Sequence, residues 1–242
     1  KIRKIYKRNP RLLTHKNLSS EIIKIIKEKK LETFLRNNFL QNIFFIHNRF
    51  FIYFELKELI KDDNWFLWKK LIKDNPIGKP IWYFLYHKST GNRIRQVYII
   101  KKFLDLNPSI KIKNLKKIIE IGGGYGCMAD IFFKINKKVS YTIYDMYEVN
   151  LLQYYYLKMN NHNPKLNSNK NKINLINKIN DLKKFKNNNL LIANWSLSEF
   201  PLIFRKKFFS IIKNSKYTII SFQQSFEKID NYKFFTKQIK KL

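Results

Sequence analysis

Cysteine occurs once in these 242 residues, glycine and proline six times each, and 17 acidic residues face 49 lysines and arginines. The lone thiol, Cys127, excludes an internal disulfide and fits a reducing cytoplasm. No apolar run approaches the ~20 residues that span a bilayer; Phe50–Phe54 is typical of the runs present. The basic first residues are not followed by the apolar stretch of a secretory leader. Scarce acids leave a net charge of +32, which taken alone points to nucleic acid or an anionic membrane. However, Lys, Asn, Ile, Phe and Tyr are raised in core-like and surface-like segments alike, as an AT-rich genome would dictate. The lysines are also spread out, although 1–11 and 165–186 are locally dense, so no specific nucleic-acid partner is expected. A hydrophobic content of 45% excludes global disorder. The length suits one α/β domain with a helical extension, or two small domains.

Four of the six glycines fall within residues 122–126, in the run IIEIGGGYG. Glycine tolerates positive φ and lets a ligand touch backbone. KKIIEI before the run fits a short buried strand, and CMADIFFKI after it has helical spacing. Strand, glycine turn and helix form the cofactor-binding start of doubly wound α/β domains. Two registers compete. A dinucleotide fingerprint can be laid on Gly124, Gly126 and Ala129, which starts late after the strand. The other register, acid-x-G-x-G-x-G on Glu120, Gly122, Gly124 and Gly126, with Gly123 between, resembles motif I of the class I S-adenosylmethionine (SAM) dependent methyltransferases. SYTIYD then forms a second strand ending in Asp145, 19 residues beyond Gly126, the reach of a carboxylate that holds ribose hydroxyls.

Helical patterns cover 17–36, with Asn17, Ser19 or Ser20 as cap and Ile22, Ile23, Ile26, Leu31 and Leu35 as apolar face; they recur over 38–60, 65–71 and 93–105. After Asp145 come a tyrosine-rich helix (148–159), strands over 172–177, 190–194 and 217–222, and helices over 200–213 and 231–242. The expected fold is therefore α/β: a Rossmann-like class I methyltransferase parallel sheet with helices on both faces. Residues 1–110 form a helical cap region ahead of it, and 111–242 form the SAM-binding domain. The closing antiparallel strands of such a sheet have no counterpart, and the first residue is Lys, so a C-terminally truncated chain is expected.

The fourth strand runs into ANWSLSEF, with Asn194, Ser196, Ser198 and Glu199. The N/D-P-P-Y/F motif that grips a flipped base in DNA amino-methyltransferases is missing there. Methylating a hydroxyl needs a base, and Glu199 is the carboxylate at hand, unless it only complements the dipole of helix 200–213; Ser198 is a candidate cap for that helix. EIGGGYG, YDM, the following YYYL and the WSLSE loop together resemble the sugar O-methyltransferase family found near bacterial surface-polysaccharide genes. The resemblance covers about residues 78–240. It implies that Glu120, Gly122, Gly124, Gly126 and Asp145 bind SAM; Gly123 and Asn194 are further cofactor-binding candidates. It also implies that Ser196, Ser198 and Glu199 lie by a sugar or glycan-precursor acceptor, in a cytoplasmic enzyme. His87 and His162 are alternative bases, and Arg93 and Arg95 candidate partners of the SAM carboxylate or an acidic sugar. The four histidines, with His15 and His47, have no metal-binding spacing, so no metal is expected. Two other readings stay open: an NAD-dependent sugar dehydrogenase or epimerase, for which Tyr154 and Lys158 have the Tyr-x-x-x-Lys spacing, and a basic RNA-binding protein.

Overall fold

Leu18, Ile22 and Ile25 recur at the four- and three-residue steps of one helix face, and all three are buried in α1 (Pro10–Lys27). The helix expected over 17–36 is thus displaced: Asn17, Ser19 and Ser20 are interior to α1, and Ile23 is exposed. A 3₁₀ turn over Leu31–Arg36 follows, where Phe34 and Leu35 are buried. The helix expected over 38–60 is two helices, α2 (Asn38–Phe44) and α3 (Phe51–Ile60). The computed structural model describes residues 10–44, 49–168, 170–182 and 188–240. Most of the basic stretch 1–11, His47, and residues 183–186 of the lysine-dense tract lie outside the described residues, as does the side chain of His15.

The chain divides into two units. The helical unit takes Lys1–Leu106, Gly124–Ile131 and Met146–His162. It therefore extends beyond the expected boundary near residue 110, recruiting two segments from the glycine region onward. It holds α1 to α3, α4 (Trp65–Ile72), α5 (Gly91–Asp105), the start of α6 (Cys127–Ile135) and α7 (Tyr147–Met159). Thr90 caps α5 by accepting a hydrogen bond from the Arg93 amide at 3.2 Å, the role expected of a threonine at that position. Edge-on rings of Tyr125 and Tyr156, 4.9 Å apart, and of Phe34 and Tyr125, 6.1 Å apart, fill part of the interior.

The sheet unit comprises Asn107–Gly123, Phe132–Asp145 and Asn163–Leu242. Its strands are β1 (Lys117–Ile121), β2 (Ser140–Tyr144), β3 (Pro164–Leu166), β4 (Ile173–Ile176), β5 (Asn188–Asn194) and β6 (Ser215–Ser221). All pair in parallel, in the order β3-β4-β2-β1-β5-β6. Such strands are covered on both sides and read as unbroken apolar runs, as KIIEI and LLIAN do. Alternation sends Ile119, Ile121, Leu191 and Ala193 to one face. There they meet Leu182 of α8 (Ile179–Leu182), Phe208 and Ile212 of α9 (Leu202–Lys213), and Phe235 of α10 (Asn231–Ile239). Tyr141 lies on the opposite face, its ring 5.8 Å from Phe132 of α6. Helices thus flank both faces of the sheet, as expected.

The short edge strand β3 was not legible: three residues with a proline carry no alternation. An antiparallel pair, β7 (Ser225–Phe226) with β8 (Ile229–Asp230), stands as a separate two-stranded sheet. Among the described residues no helix is long and apolar enough to cross a membrane.

Candidate cofactor and acceptor site

β1 occupies the middle of the sheet, and the chain leaves it toward β2 on one side, while β5 leads to β6 on the other. Loops that diverge this way open a crevice at the carboxyl ends of the strands, where ligands of such sheets bind. The glycine turn begins there. The Gly122 amide donates to the Tyr144 carbonyl at 2.9 Å, the last rung between β1 and β2. Gly122, Gly124 and Gly126 have φ of +72°, +54° and +98°, a region that L-residues enter at a cost.

These glycines do different things. A Cβ on Gly122 would overlap the Ser196 Cβ and stand 2.9 Å from its Oγ, while the Ser196 hydroxyl donates to the Ile121 carbonyl. The loop after β5 therefore closes against Gly122, and packing alone requires a glycine. Among the described residues, a Cβ on Gly124 would meet the Phe44 ring alone, at an ordinary 3.5 Å. The Gly124 carbonyl accepts from Gln153 Nε2 at 2.9 Å, which fixes the peptide.

Two acids flank the turn. Asp145 follows β2 directly, opposite the position of Gly122 by register, with its amide donating to the Ile176 carbonyl at 3.0 Å; it is half-buried. Glu120 is buried in β1 and accepts the Tyr141 hydroxyl at 2.9 Å. Burial pushes its carboxyl up to about 8, against the pull of Tyr141 and with a smaller push from Asp145. Glu120 thus sits inside the sheet, behind the turn.

The loop after β5 is held from several directions. Asn194 Oδ1 accepts from the Ser221 hydroxyl at 2.9 Å, and the Trp195 amide donates to the Ser221 carbonyl at 2.8 Å. Trp195 has φ +54°, uncommon for a bulky residue and tolerated only where surroundings enforce it. Ser198 is fully buried, its hydroxyl donating to Gln223 Oε1 at 3.1 Å, while Gln223 Nε2 donates to Glu199 Oε1 at 3.3 Å. Ser198 does not cap α9: Pro201 occupies the cap position and no side chain caps it. Beneath lies Arg205, also fully buried, which donates to the carbonyls of Ser198 and Phe200 and to Asn231 Oδ1. Sequence reasoning missed Trp195, Arg205, Gln223 and Asn231. Arg205 stands in FRKKF, where it reads as one more solvated cation, and the other three have no one-dimensional signature.

The remaining predicted residues belong to the helical unit. His87 is exposed in a turn. His162 Nε2 lies 2.8 Å from Asp130 Oδ1. Arg93 is fully buried, 2.8 Å from Asp130 and 3.3 Å from Asp74, with its Nε donating to the Leu71 carbonyl at 2.7 Å. Its placement is that of an interior ion pair and not of an open anion receptor. Arg95 pairs with Glu55 and stacks over the Phe51 ring at 5.0 Å. Burial pushes the Cys127 thiol up to about 12 despite the pull of Arg93, so the residue packs and does not serve as a nucleophile. Tyr154 and Lys158 lie on α7, following β2.

No protein-family model and no curated protein matches the chain. Solved structures to which it is similar include a proposed O-methyltransferase from Nostoc punctiforme PCC 73102, at 10% identity over 53% of this chain and 41% of that one, TM-score 0.38. A proposed caffeoyl-CoA O-methyltransferase from Staphylococcus aureus is 16% identical over 50% of this chain and 64% of its own, TM-score 0.36. The mitomycin 7-O-methyltransferase MmcR is 9% identical over 78% of this chain and 54% of its own, TM-score 0.38. The chain spans 41% to 64% of the length of these three proteins. Its own strand order and glycine turn define the fold: a Rossmann-like, doubly wound parallel sheet.

Proposed function

We propose that this chain is a SAM-dependent methyltransferase acting on a hydroxyl of a sugar or surface-polysaccharide precursor. The observation that carries the cofactor reading is the positive-φ glycine turn that opens at the carboxyl end of β1, at the switch point, with Asp145 directly after the neighbouring strand β2. A ligand can approach backbone there as it could not at a residue with a side chain. Gly122 to Gly126 would cradle the cofactor, and Asp145 would accept hydrogen bonds from its ribose hydroxyls. SAM supplies an electrophilic methyl group on a sulfonium. Glu199, on the loop after β5, is the carboxylate at the same sheet edge. In this reading it takes the proton from the acceptor hydroxyl as the methyl transfers, a role contributing typically about 10²–10⁴-fold. Asn194 and the Ser196 segment shape the acceptor side. The sugar assignment rests on the motif resemblance of the WSLSE loop.

The test is calorimetric titration of the purified chain with SAM and, separately, NADH. SAM should bind, and Gly124→Val should abolish that binding while the chain still folds cooperatively, with stability lowered by about 1–2 kcal/mol for a side chain at φ +54°. Binding of NADH in place of SAM, or unaltered SAM binding by Gly124→Val, would refute the proposal. With a panel of nucleotide sugars as acceptors, Glu199→Gln should lower turnover about 10²–10⁴-fold at nearly constant SAM affinity.

A further inference from the structure

Glu199 is gripped at both ends. Its two neighbours along the chain, Ser198 and Phe200, present their carbonyls to one guanidinium, that of Arg205. A fully buried arginine thus holds the peptide that enters Glu199, through the Ser198 carbonyl, and the peptide that leaves Phe200, one residue beyond it, which limits how the backbone at Glu199 can turn. The Glu199 amide is held too, donating to the Ser196 carbonyl at 3.0 Å. At the other end of the side chain stands Gln223, one amide serving two partners: its Nε2 donates to the Glu199 carboxylate and its Oε1 accepts from Ser198. Gln223 is itself anchored, because its carbonyl accepts from Asn231 Nδ2 at 2.8 Å and Asn231 Oδ1 accepts from Arg205 Nη1 at 2.6 Å. Arg205, Asn231 and Ser198 are all fully buried. The chain of bonds runs from Arg205 through Asn231 and Gln223 back to the residue it began beside.

A loop that needed only to be folded would be served by the backbone bonds to Arg205. The additional bond to the Glu199 carboxylate does nothing for the backbone and fixes one carboxylate rotamer. We infer that Gln223 is a positioning residue, which holds the Glu199 carboxylate in the orientation used on the acceptor. The inference rests on the reading of Glu199 as the base. Ser198 then acts through Gln223 by setting the amide's orientation: with its oxygen taken by the serine hydroxyl, Gln223 can turn only its NH₂ toward the carboxylate. The bond spans 3.3 Å, and it restrains the glutamate because Gln223 is itself held at its carbonyl by Asn231 and at its side-chain oxygen by Ser198.

The experiment compares Gln223→Leu, Glu199→Gln and the double variant in turnover with SAM and nucleotide-sugar acceptors, together with crystal structures of the unmodified chain and Gln223→Leu. Gln223→Leu should lower kcat about 10- to 100-fold with SAM affinity unchanged, and should have no further effect in the Glu199→Gln background. Equal losses in both backgrounds would make Gln223 structural only and overturn the inference. A large loss in Glu199→Gln with less than a threefold loss in Gln223→Leu would overturn it while leaving the base assignment standing. An unaffected Glu199→Gln would remove the base assignment itself. The crystal structures need no acceptor: Glu199 should occupy one rotamer in the unmodified chain and several in Gln223→Leu. A single shared rotamer in both would refute the positioning role.

Discussion

Alanine at position 122 should destabilise the sheet unit, and by two separable mechanisms. A Cβ in the left-handed region, here at φ +72°, costs about 1–2 kcal/mol. The same Cβ would overlap the Ser196 Cβ and stand 2.9 Å from its Oγ. Forcing a methyl into such a contact costs typically about 1–3 kcal/mol, so Gly122→Ala should lose roughly 2–5 kcal/mol in total. Truncating the obstacle separates the parts. Ser196→Gly alone gives up the hydroxyl's bond to the Ile121 carbonyl, worth about 0.5–1.5 kcal/mol. Added to Gly122→Ala, it should restore the packing part and leave the backbone part. Urea midpoints of the four proteins form a double-mutant cycle, and contacting residues should couple by roughly 1–3 kcal/mol in the rescuing direction. A single variant within 0.5 kcal/mol of the parent, or a cycle that adds without coupling, would refute the close approach of the two loops.

Asp145→Ala should weaken SAM binding by about 1.5–3 kcal/mol if its carboxylate accepts ribose hydroxyls; unchanged calorimetric affinity would remove it from the site. Glu120 titrates near 8 in the folded chain against an ordinary value of 4.5. Folding therefore favours its protonated form, and that stability is present in full below pH 4.5 and lost as pH rises through about 8. Glu120→Gln should flatten this part of the curve and be the more stable protein above pH 8; parallel urea midpoints at pH 5 and pH 8.5 would contradict the burial argument. Cys127, buried with its thiol pushed up to about 12, should resist iodoacetamide in the native protein at pH 8 and react only on unfolding. Modification within minutes in the native state would show an accessible thiolate.

Local sequence determined more of this fold than of its site. The glycine turn, the strand KIIEI and the helix CMADIFFKI are short-range patterns, and each formed where its spacing indicated, as did the strands ending in Asp145 and Asn194. Parallel order followed because apolar strands alternating with helices admit few other arrangements. Residues without periodicity were invisible: the three residues of β3, and the break that splits 38–60 into α2 and α3.

Side-chain roles were decided in three dimensions. Arg93 and Arg205 look like two more solvated cations in a chain with 49 lysines and arginines, yet both are fully buried, Arg93 against the carboxylates of Asp74 and Asp130 and Arg205 against the Ser198 and Phe200 carbonyls and the side chain of Asn231. Gly122 and Gly124 are the same letter two positions apart, and only tertiary contact distinguishes them: a Cβ on one would collide with Ser196 from a loop more than seventy residues away, while a Cβ on the other would meet the Phe44 ring at an ordinary 3.5 Å. Sequence determines which backbone conformations are allowed at a position. What packs against that position depends on how distant segments are brought together, and it was this packing that joined Glu199 to Gln223 and Arg205 to Asn231.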